Sequence, residues 1–173
     1  FIFTTASNMY LFPVVGGLFY SDDIAYYSGL LVSPRTLHTY LFPWMKKIGD
    51  LCKGRNIPYI YHTDGKLWEI LDDLIALGID ATHSNEDIIA PFDKWIELYN
   101  GCIGLFGGID MNDLCLYDAD TVYKLVLEKG RAYRQKSKGF GLGSGNSIPD
   151  YVPADTYLAM ISADKELRRR EIR

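Results

Sequence analysis

Five apolar runs in this chain end abruptly in polar or glycine residues, and a helical pattern follows each of them. The clearest case lies at residues 57–67, where the β-rich run IPYIY gives way to the letters HTDG. A continuously apolar strand is typical of a parallel sheet that is buried on both faces. The alternation of strand and helix therefore predicts an α/β fold built on a parallel sheet.

The chain can be divided into about five strand–helix units. Ser33 followed by Pro34 predicts the start of the first helix, Pro43 a kink or break within it, and Gly54 its end. The predicted strands are residues 14–20, 57–61, 79–82, 102–106 and 138–142. The predicted helices are residues 34–54, 66–77, 120–132, and two more that open at Pro91 and Pro153.

The length of the chain limits the architecture. A (βα)8 barrel needs about 250 residues, whereas this chain has 173 and supplies only the five units. We expect one domain over residues 1–173, with residues 1–13 left without a clear assignment. Open edges of a parallel sheet attract other strands. The chain is therefore expected either to lack an N-terminal half or to associate as a homo-oligomer.

Composition excludes some classes of partner. The net charge of −4 provides no basic field, so nucleic acid is not expected as a partner. No apolar run approaches the roughly 18 residues of a membrane span, so no membrane partner is expected. The three cysteines show no CxxC spacing, which indicates reduced thiols and a cytoplasmic protein.

Polar residues at the predicted strand ends are the candidate functional residues, because chemistry in (βα) barrels takes place at the C-terminal ends of the strands. His83 and Glu86 also follow a strand, but we interpret them as part of a loop and a helix cap. Catalytic roles are predicted for Asp22, His62, Asp64 and Asp110. Substrate-binding roles are predicted for Asp23, Ser144 and Asn146. Each has a structural alternative; Asp64-Gly65, for example, is also an ordinary turn pair.

Several longer motifs occur in a fixed order: SDDIAYYSGLLVSPRTLHTYLFPWMKKI, HTDG, GGID and GLGSGNSIPDYVPADTYLAMI. In this order they resemble the C-terminal part of the uroporphyrinogen decarboxylase superfamily, over roughly residues 14–162. The resemblance implies the C-terminal part of a TIM (βα)8 barrel. It also implies an enzyme, from either the haem-pathway decarboxylases or the corrinoid-linked methyltransferases. The N-terminal strands of that family have no counterpart in the sequence.

The decarboxylase branch implies a carboxy-lyase that acts on a tetrapyrrole in porphyrin biosynthesis. Its chemistry needs no metal or cofactor, because a carboxylate stabilises the protonated pyrrole. Asp22, Tyr26 and Tyr27 lie where that family places a substrate-contacting aromatic residue, so both tyrosines are predicted to bind substrate. The family's GHG-like turn is GSG here, with Ser144 in place of histidine.

The methyltransferase branch implies a small-molecule methyl donor, a corrinoid or a corrinoid protein as partner, and a zinc site. That site consists of a His-x-Cys pair and a second cysteine. Here the pair is His62-Thr63-Asp64 and Ser144 stands at the second cysteine. The predicted metal ligands are therefore His62 and Asp64, joined by a carboxylate such as Asp22 or Asp110, in a harder nitrogen and oxygen set.

A third hypothesis is a non-catalytic barrel relative that serves as a binding or assembly subunit. The replaced site residues favour it. Between the two enzyme branches, decarboxylation is placed first because it requires no metal and because both thiolates of the zinc site are missing.

Overall fold

The computed structural model describes residues 14–99 and 101–169 of the chain. They fall into two compact units, the first ending at His83 and the second beginning at Ser84. Each unit contains parallel strands that alternate with helices, which confirms the predicted α/β class. Residues 1–13, left unassigned from the sequence, lie outside the described residues, and a single domain over the whole chain stays a prediction.

The first unit is built on three parallel strands in the order β1, β4, β5. These strands are Leu18–Ser21 (β1), Tyr59–His62 (β4) and Ala81–His83 (β5). The register pairs Ser21 with His62 and His62 with His83, so the three strands end level with one another. An antiparallel hairpin of Ala25–Tyr26 (β2) and Gly29–Leu30 (β3), which was not predicted, follows β1.

The helices of the first unit correct the predicted boundaries. They are Pro34–Tyr40 (α1), Phe42–Arg55 (α2) and Leu71–Ala76 (α3). Ser33 caps α1 as predicted, and its side chain accepts the amide of Thr36. The single predicted helix breaks at Leu41. Pro43 has no backbone N–H to donate and is accommodated only in the first turn of a helix, so a new helix begins at Phe42. Helix α2 ends at Arg55 rather than at Gly54, and its C-cap residue Asn56 adopts the left-handed conformation with φ 54°.

Large apolar side chains fill the core of the first unit. Tyr59 and Tyr61 of β4 are fully buried, as are residues of α2 and of the segment around α3, namely Met45, Ile48, Leu67, Leu71 and Leu74. Complete burial of such a side chain is worth roughly 1.5–3 kcal/mol. The apolar face of β4 is thus held firmly, and its polar C-terminal end is fixed in position.

The second unit contains two parallel strands, Gly104–Ile109 (β6) and Phe140–Ser144 (β7), whose register pairs Ile109 with Ser144. Strand β6 includes Gly107 and Gly108, whereas the sequence predicted that the strand ends before them. Gly108 has φ +99°, and a Cβ atom there would lie 2.9 Å from the Tyr133 ring. The glycines therefore let an aromatic ring pack directly on the strand.

Four helices complete the second unit: Phe92–Tyr99 (α4), Met111–Leu116 (α5), Ala119–Lys136 (α6) and Ala154–Arg169 (α7). Helix α5 was not predicted. Its core residue Leu114 packs with Ile109, Val122, Val126, Val152, Met160 and Ala163. The Thr156 hydroxyl donates to the Leu114 carbonyl at 2.7 Å, which ties α7 to α5. Among the described helices, none has the length and apolarity that crossing a bilayer requires.

Candidate functional site

The level strand ends of the first unit bring several predicted residues together. Ser21, His62 and His83 stand side by side in the register of β1, β4 and β5. Asp22 and Asp23 directly follow β1, and the segment HTDG spans the end of β4. The polar residues that follow these strands therefore lie at one edge of this unit.

The HTDG segment, residues 62–65, is bound to the chain that follows β1. The buried Thr63 accepts the Ile24 amide on its hydroxyl oxygen at 3.2 Å. The Asp64 amide donates to Asp23 Oδ1 at 3.1 Å. Gly65 has φ +93°, and a Cβ atom there would lie 2.5 Å from the carbonyl carbon of Ala25. These contacts fix the carboxylate of Asp23 beside the HTDG segment, and only glycine fits at position 65.

Asp23, His62 and Asp64 bring their potential ligand atoms within 4.8 Å of one another. His62 is only 8% exposed, and its Nε2 lies 3.7 Å from Asp64 Oδ1. One imidazole and two carboxylates form a nitrogen and oxygen donor set that suits a divalent ion of borderline or hard character. The residues present therefore fit a metal ion. The third member of the group is Asp23, whereas the sequence suggested Asp22 or Asp110.

His83 contacts His62 directly, which the sequence interpretation of His83 as a loop residue missed. The two Nδ1 atoms are 2.6 Å apart, and the Phe19 ring stacks on His62 at 6.1 Å between centroids. A lone pair on His62 Nε2 requires the ring proton on Nδ1, where it is donated to His83 Nδ1. His83 therefore orients the ring of His62. The available signal was that the two histidines end consecutive predicted strands.

Asp22 makes a separate set of contacts with two tyrosines. The Tyr20 hydroxyl donates to Asp22 Oδ2 at 2.8 Å, and the Tyr61 hydroxyl donates to the Asp22 carbonyl at 3.0 Å. Burial, together with the charge of Asp22, raises the pKa of both phenols, so both remain protonated. Tyr26 and Tyr27 are 59% and 57% exposed, with ring centroids 4.6 Å apart.

The strand ends of the second unit carry the remaining predicted residues. Asp110 follows β6 and caps α5: Oδ1 accepts the Asn112 amide at 2.7 Å and Oδ2 accepts the Asp87 amide at 3.1 Å. Ser144 ends β7 and is partly buried. The Asn146 amide group donates to Glu86 Oε1 at 3.3 Å. The last contact places Glu86 beside the loop that follows β7.

A partly buried ion-pair group lies next to Asp110. Lys129 Nζ is 3.0 Å from Asp113 and 3.6 Å from Asp87. Burial would lower the pKa of Lys129, but the hydrogen bond and charge of Asp113, with Asp87, raise it. Burial raises the pKa of Asp87, and the charges of Asp110 and Asp113 act in the same direction against the opposing effect of Lys129.

A cavity of about 240 Å³ opens at the ends of β6 and β7. Its lining includes Asn85, Glu86, Asp110, Met111, Asn146 and Tyr151. Two residues predicted from the sequence, Asp110 and Asn146, thus lie at one cavity of the second unit. Asn85 was missed, because a single asparagine in a loop carries no signal of burial.

Comparisons with known proteins agree with this architecture. A methyltransferase from Methanosarcina mazei has a similar solved structure, with a TM-score of 0.66 at 20% sequence identity. The match covers 90% of this chain and 43% of that one, so the chain spans less than half the length of its structural relative. At this identity the likeness shows the fold alone, which is a partial TIM-barrel-like arrangement. No curated protein sequence matches the chain.

The sequence model of the family described as uroporphyrinogen decarboxylase (URO-D) matches residues 18–167. That range includes every described strand and nearly all of α7. It also includes the HTDG segment and the turn at Asn146. The chain therefore belongs to the uroporphyrinogen decarboxylase (URO-D) family.

Proposed function

We propose that this chain is part of a metal-dependent methyltransferase of the URO-D family, with the metal held by Asp23, His62 and Asp64. The observation that carries the proposal is the approach of these three ligand atoms to within 4.8 Å around a buried imidazole. The name of the structural relative, a methyltransferase, supports the same class of reaction.

The donor set determines what kind of metal chemistry is proposed. The resemblance implied two thiolates, whereas this chain offers one imidazole nitrogen and carboxylate oxygens. A divalent ion bound there would supply Lewis-acid polarisation of a coordinated acceptor group. His62 would present its Nε2 lone pair, held in place by His83. Asp23 would present a carboxylate that the Asp64 amide already orients.

The charge at the strand ends favours methyl transfer over tetrapyrrole decarboxylation. The segments between each of these strands and the helix that follows it contain one lysine, Lys66, and eight carboxylates: Asp22, Asp23, Asp64, Glu69, Glu86, Asp87, Asp110 and Asp150. A tetrapyrrole with several carboxylate side chains needs several cationic partners, of which these segments supply only Lys66. We therefore propose a neutral or cationic methylated small molecule as substrate, and a corrinoid protein as partner.

A tetrapyrrole decarboxylase is the second candidate, and the contacts of Asp22 favour it. That carboxylate is held by the Tyr20 hydroxyl in a partly buried setting. A fixed carboxylate of this kind can stabilise positive charge on a protonated pyrrole without any metal. The described part of the chain would supply this group, whereas cationic groups for the substrate's acid side chains would come from elsewhere.

A metal titration of the full chain tests the first candidate. We expect one equivalent of Zn²⁺ or Co²⁺ to bind by calorimetry, and Co²⁺ to give visible d–d absorption. Replacing His62 by alanine removes a ligand, and we expect affinity to fall by more than about 100-fold. His38→Ala is the matched control, because His38 is an exposed histidine paired with Asp73 in the same unit.

The alternatives give different results in the same experiment. Equal metal affinity in wild type and His62→Ala contradicts the proposed site. Turnover of uroporphyrinogen by metal-free protein favours the decarboxylase. If the protein shows no metal binding and no turnover, the result favours a non-catalytic subunit. We also propose a cytoplasmic location, which the three free cysteines support.

A further inference from the structure

We propose that Tyr61, a core residue of β4, is a positioning residue for the candidate metal ligand Asp23. Its hydroxyl donates to the Asp22 carbonyl at 3.0 Å, and that carbonyl belongs to the peptide group that joins Asp22 to Asp23. The inference rests on the proposed metal site, and it adds to that site a residue outside the three candidate ligands.

The short segment after β1 is bound to the end of β4 at both of its ends. The Asp22 amide donates to the His62 carbonyl at 3.1 Å. The Ile24 amide donates to the Thr63 hydroxyl at 3.2 Å. These bonds fix where the segment begins and ends, but they do not by themselves set the orientation of the peptide groups between the two amides.

The direction of the Asp23 side chain depends on one of those peptide groups. Rotation of the peptide plane between Asp22 and Asp23 changes ψ of the first residue and φ of the second, and it therefore turns the Cα–Cβ bond of Asp23. The Tyr61 hydroxyl binds the oxygen of this plane and opposes the rotation. The Asp23 carboxylate is thus kept where the Asp64 amide donates to it, at 3.1 Å.

Tyr61 is itself held firmly. Its side chain is fully buried, and its ring stacks on that of Tyr20 in the neighbouring strand, with centroids 5.7 Å apart. Burial raises the pKa of the Tyr61 phenol, so the hydroxyl keeps the proton that it donates. A donor whose rotamer is locked by packing can fix its acceptor more precisely than a mobile surface side chain can.

The other tyrosine of β4 provides a comparison within the same strand. Tyr59 is equally buried, but its hydroxyl has no hydrogen-bond partner among the described residues. The Tyr61 hydroxyl, in contrast, is bonded to the segment that carries a candidate ligand. Phenylalanine would fill nearly the same space at either position. A change of each tyrosine to phenylalanine therefore separates the effect of the Tyr61 hydrogen bond from that of core packing.

Calorimetry with Zn²⁺ on the full chain tests the inference by comparing Tyr61→Phe with the matched control Tyr59→Phe. Each variant loses one buried hydroxyl and keeps the ring. We expect the Zn²⁺ affinity of Tyr61→Phe to fall roughly tenfold or more, as is typical when a group that supports a metal ligand is removed. Tyr59→Phe should bind Zn²⁺ as tightly as the wild type.

Amide hydrogen exchange of the metal-free chain is a second measurement. The Asp64 amide should exchange faster in Tyr61→Phe, because its acceptor on Asp23 is held less firmly. The amides of α2 in the same unit report any general loss of stability, and they should change less than the Asp64 amide. Tyr59→Phe should leave exchange at Asp64 unchanged.

The possible results separate this inference from the proposed function. Unchanged Zn²⁺ affinity in Tyr61→Phe, or an equal fall in both variants, overturns the inference and leaves the metal site standing if His62→Ala still loses affinity. Exchange at Asp64 that rises no more than in α2 also overturns it. If the wild type binds no Zn²⁺, the proposed function fails, and the role of Tyr61 in metal binding fails with it.

Discussion

The strand ends of the two units use the same residue types in different ways. In the first unit, Asp23 and Asp64 lie beside a buried imidazole, with their ligand atoms close together. In the second unit, both carboxylate oxygens of Asp110 accept hydrogen bonds from backbone amides, and Asp87 pairs with Lys129. A carboxylate after a parallel strand therefore does not define a role by itself. Its role depends on whether neighbouring backbone already uses its oxygens.

The two units also hold their loops by different contacts. In the first unit, Gly65 lies against the backbone of the β2–β3 hairpin, and the Thr63 hydroxyl accepts an amide of the same segment. In the second unit, Gly145 lies against the Asn85 carbonyl, and the two residues also share a backbone hydrogen bond of 3.0 Å. Both loops thus need a glycine, but only Gly65 also needs a positive φ.

The largest expected effect is therefore that of Gly65→Ala. The new Cβ would lie 2.5 Å from Ala25 backbone at a φ of +93°. We expect a loss of about 3–5 kcal/mol in the free energy of unfolding, measured by urea denaturation. Gly145→Ala should cost less, because its clash with Asn85 carries no added strain in φ. Gly16→Ala is the control, since nothing lies within 4 Å of its Cβ position; equal stability of all three variants would contradict this account.

A smaller effect is expected for His83→Ala. His83 holds the His62 ring through the contact of 2.6 Å between their Nδ1 atoms. Loss of such a supporting group typically lowers metal affinity by about 10- to 100-fold. Calorimetry with Zn²⁺ should show this change in His83→Ala and none in Glu86→Gln of the second unit. If Glu86→Gln also lowers the affinity for Zn²⁺, the proposal that only first-unit residues hold the metal is wrong.

The smallest expected effect concerns pH and the second unit. The pKa of Asp87 is raised in the folded state, mainly by burial, so the folded protein binds this proton more tightly than the unfolded chain. Its contribution to stability therefore falls as pH rises from the unfolded value of 3.8 through the folded pKa. Asp87→Asn cannot ionise, so its Tm relative to wild type should increase between pH 3 and pH 7. A constant difference across that range would contradict the assigned direction.

The sequence predicted the order of strands and helices because apolar runs and helical periodicity are local signals. It missed the β2–β3 hairpin, because two-residue strands are too short to show a period. It also missed α5, whose six residues depend on the cap from Asp110 and on packing of Leu114. The break at Leu41 was predicted correctly, since Pro43 acts on the backbone directly.

For the candidate site, the sequence named His62 and Asp64 as metal ligands and Asp23 as a substrate-binding residue, but it did not predict that Asp23 and His83 lie beside His62. Asp23 joins them through a hydrogen bond across 41 positions of the chain, and His83 joins through strand register. The contact of Asp23 leaves no pattern along the chain, and that of His83 leaves only its position after the next predicted strand, because both contacts depend on how the strands pair. The same applies to Asn85, whose burial follows from the packing of the loop around Gly145.

The four residues of the HTDG segment have two kinds of role. Two of them attach the segment to the chain before and within the β2–β3 hairpin, and the other two carry the candidate ligand atoms. Thr63 and Gly65 are required by the backbone around them, whatever the chain does. Selection for folding alone would thus preserve Thr63 and Gly65 even in a descendant that had lost its activity. The imidazole at position 62 and the carboxylate at position 64 are therefore the residues that distinguish an active relative from an inactive one.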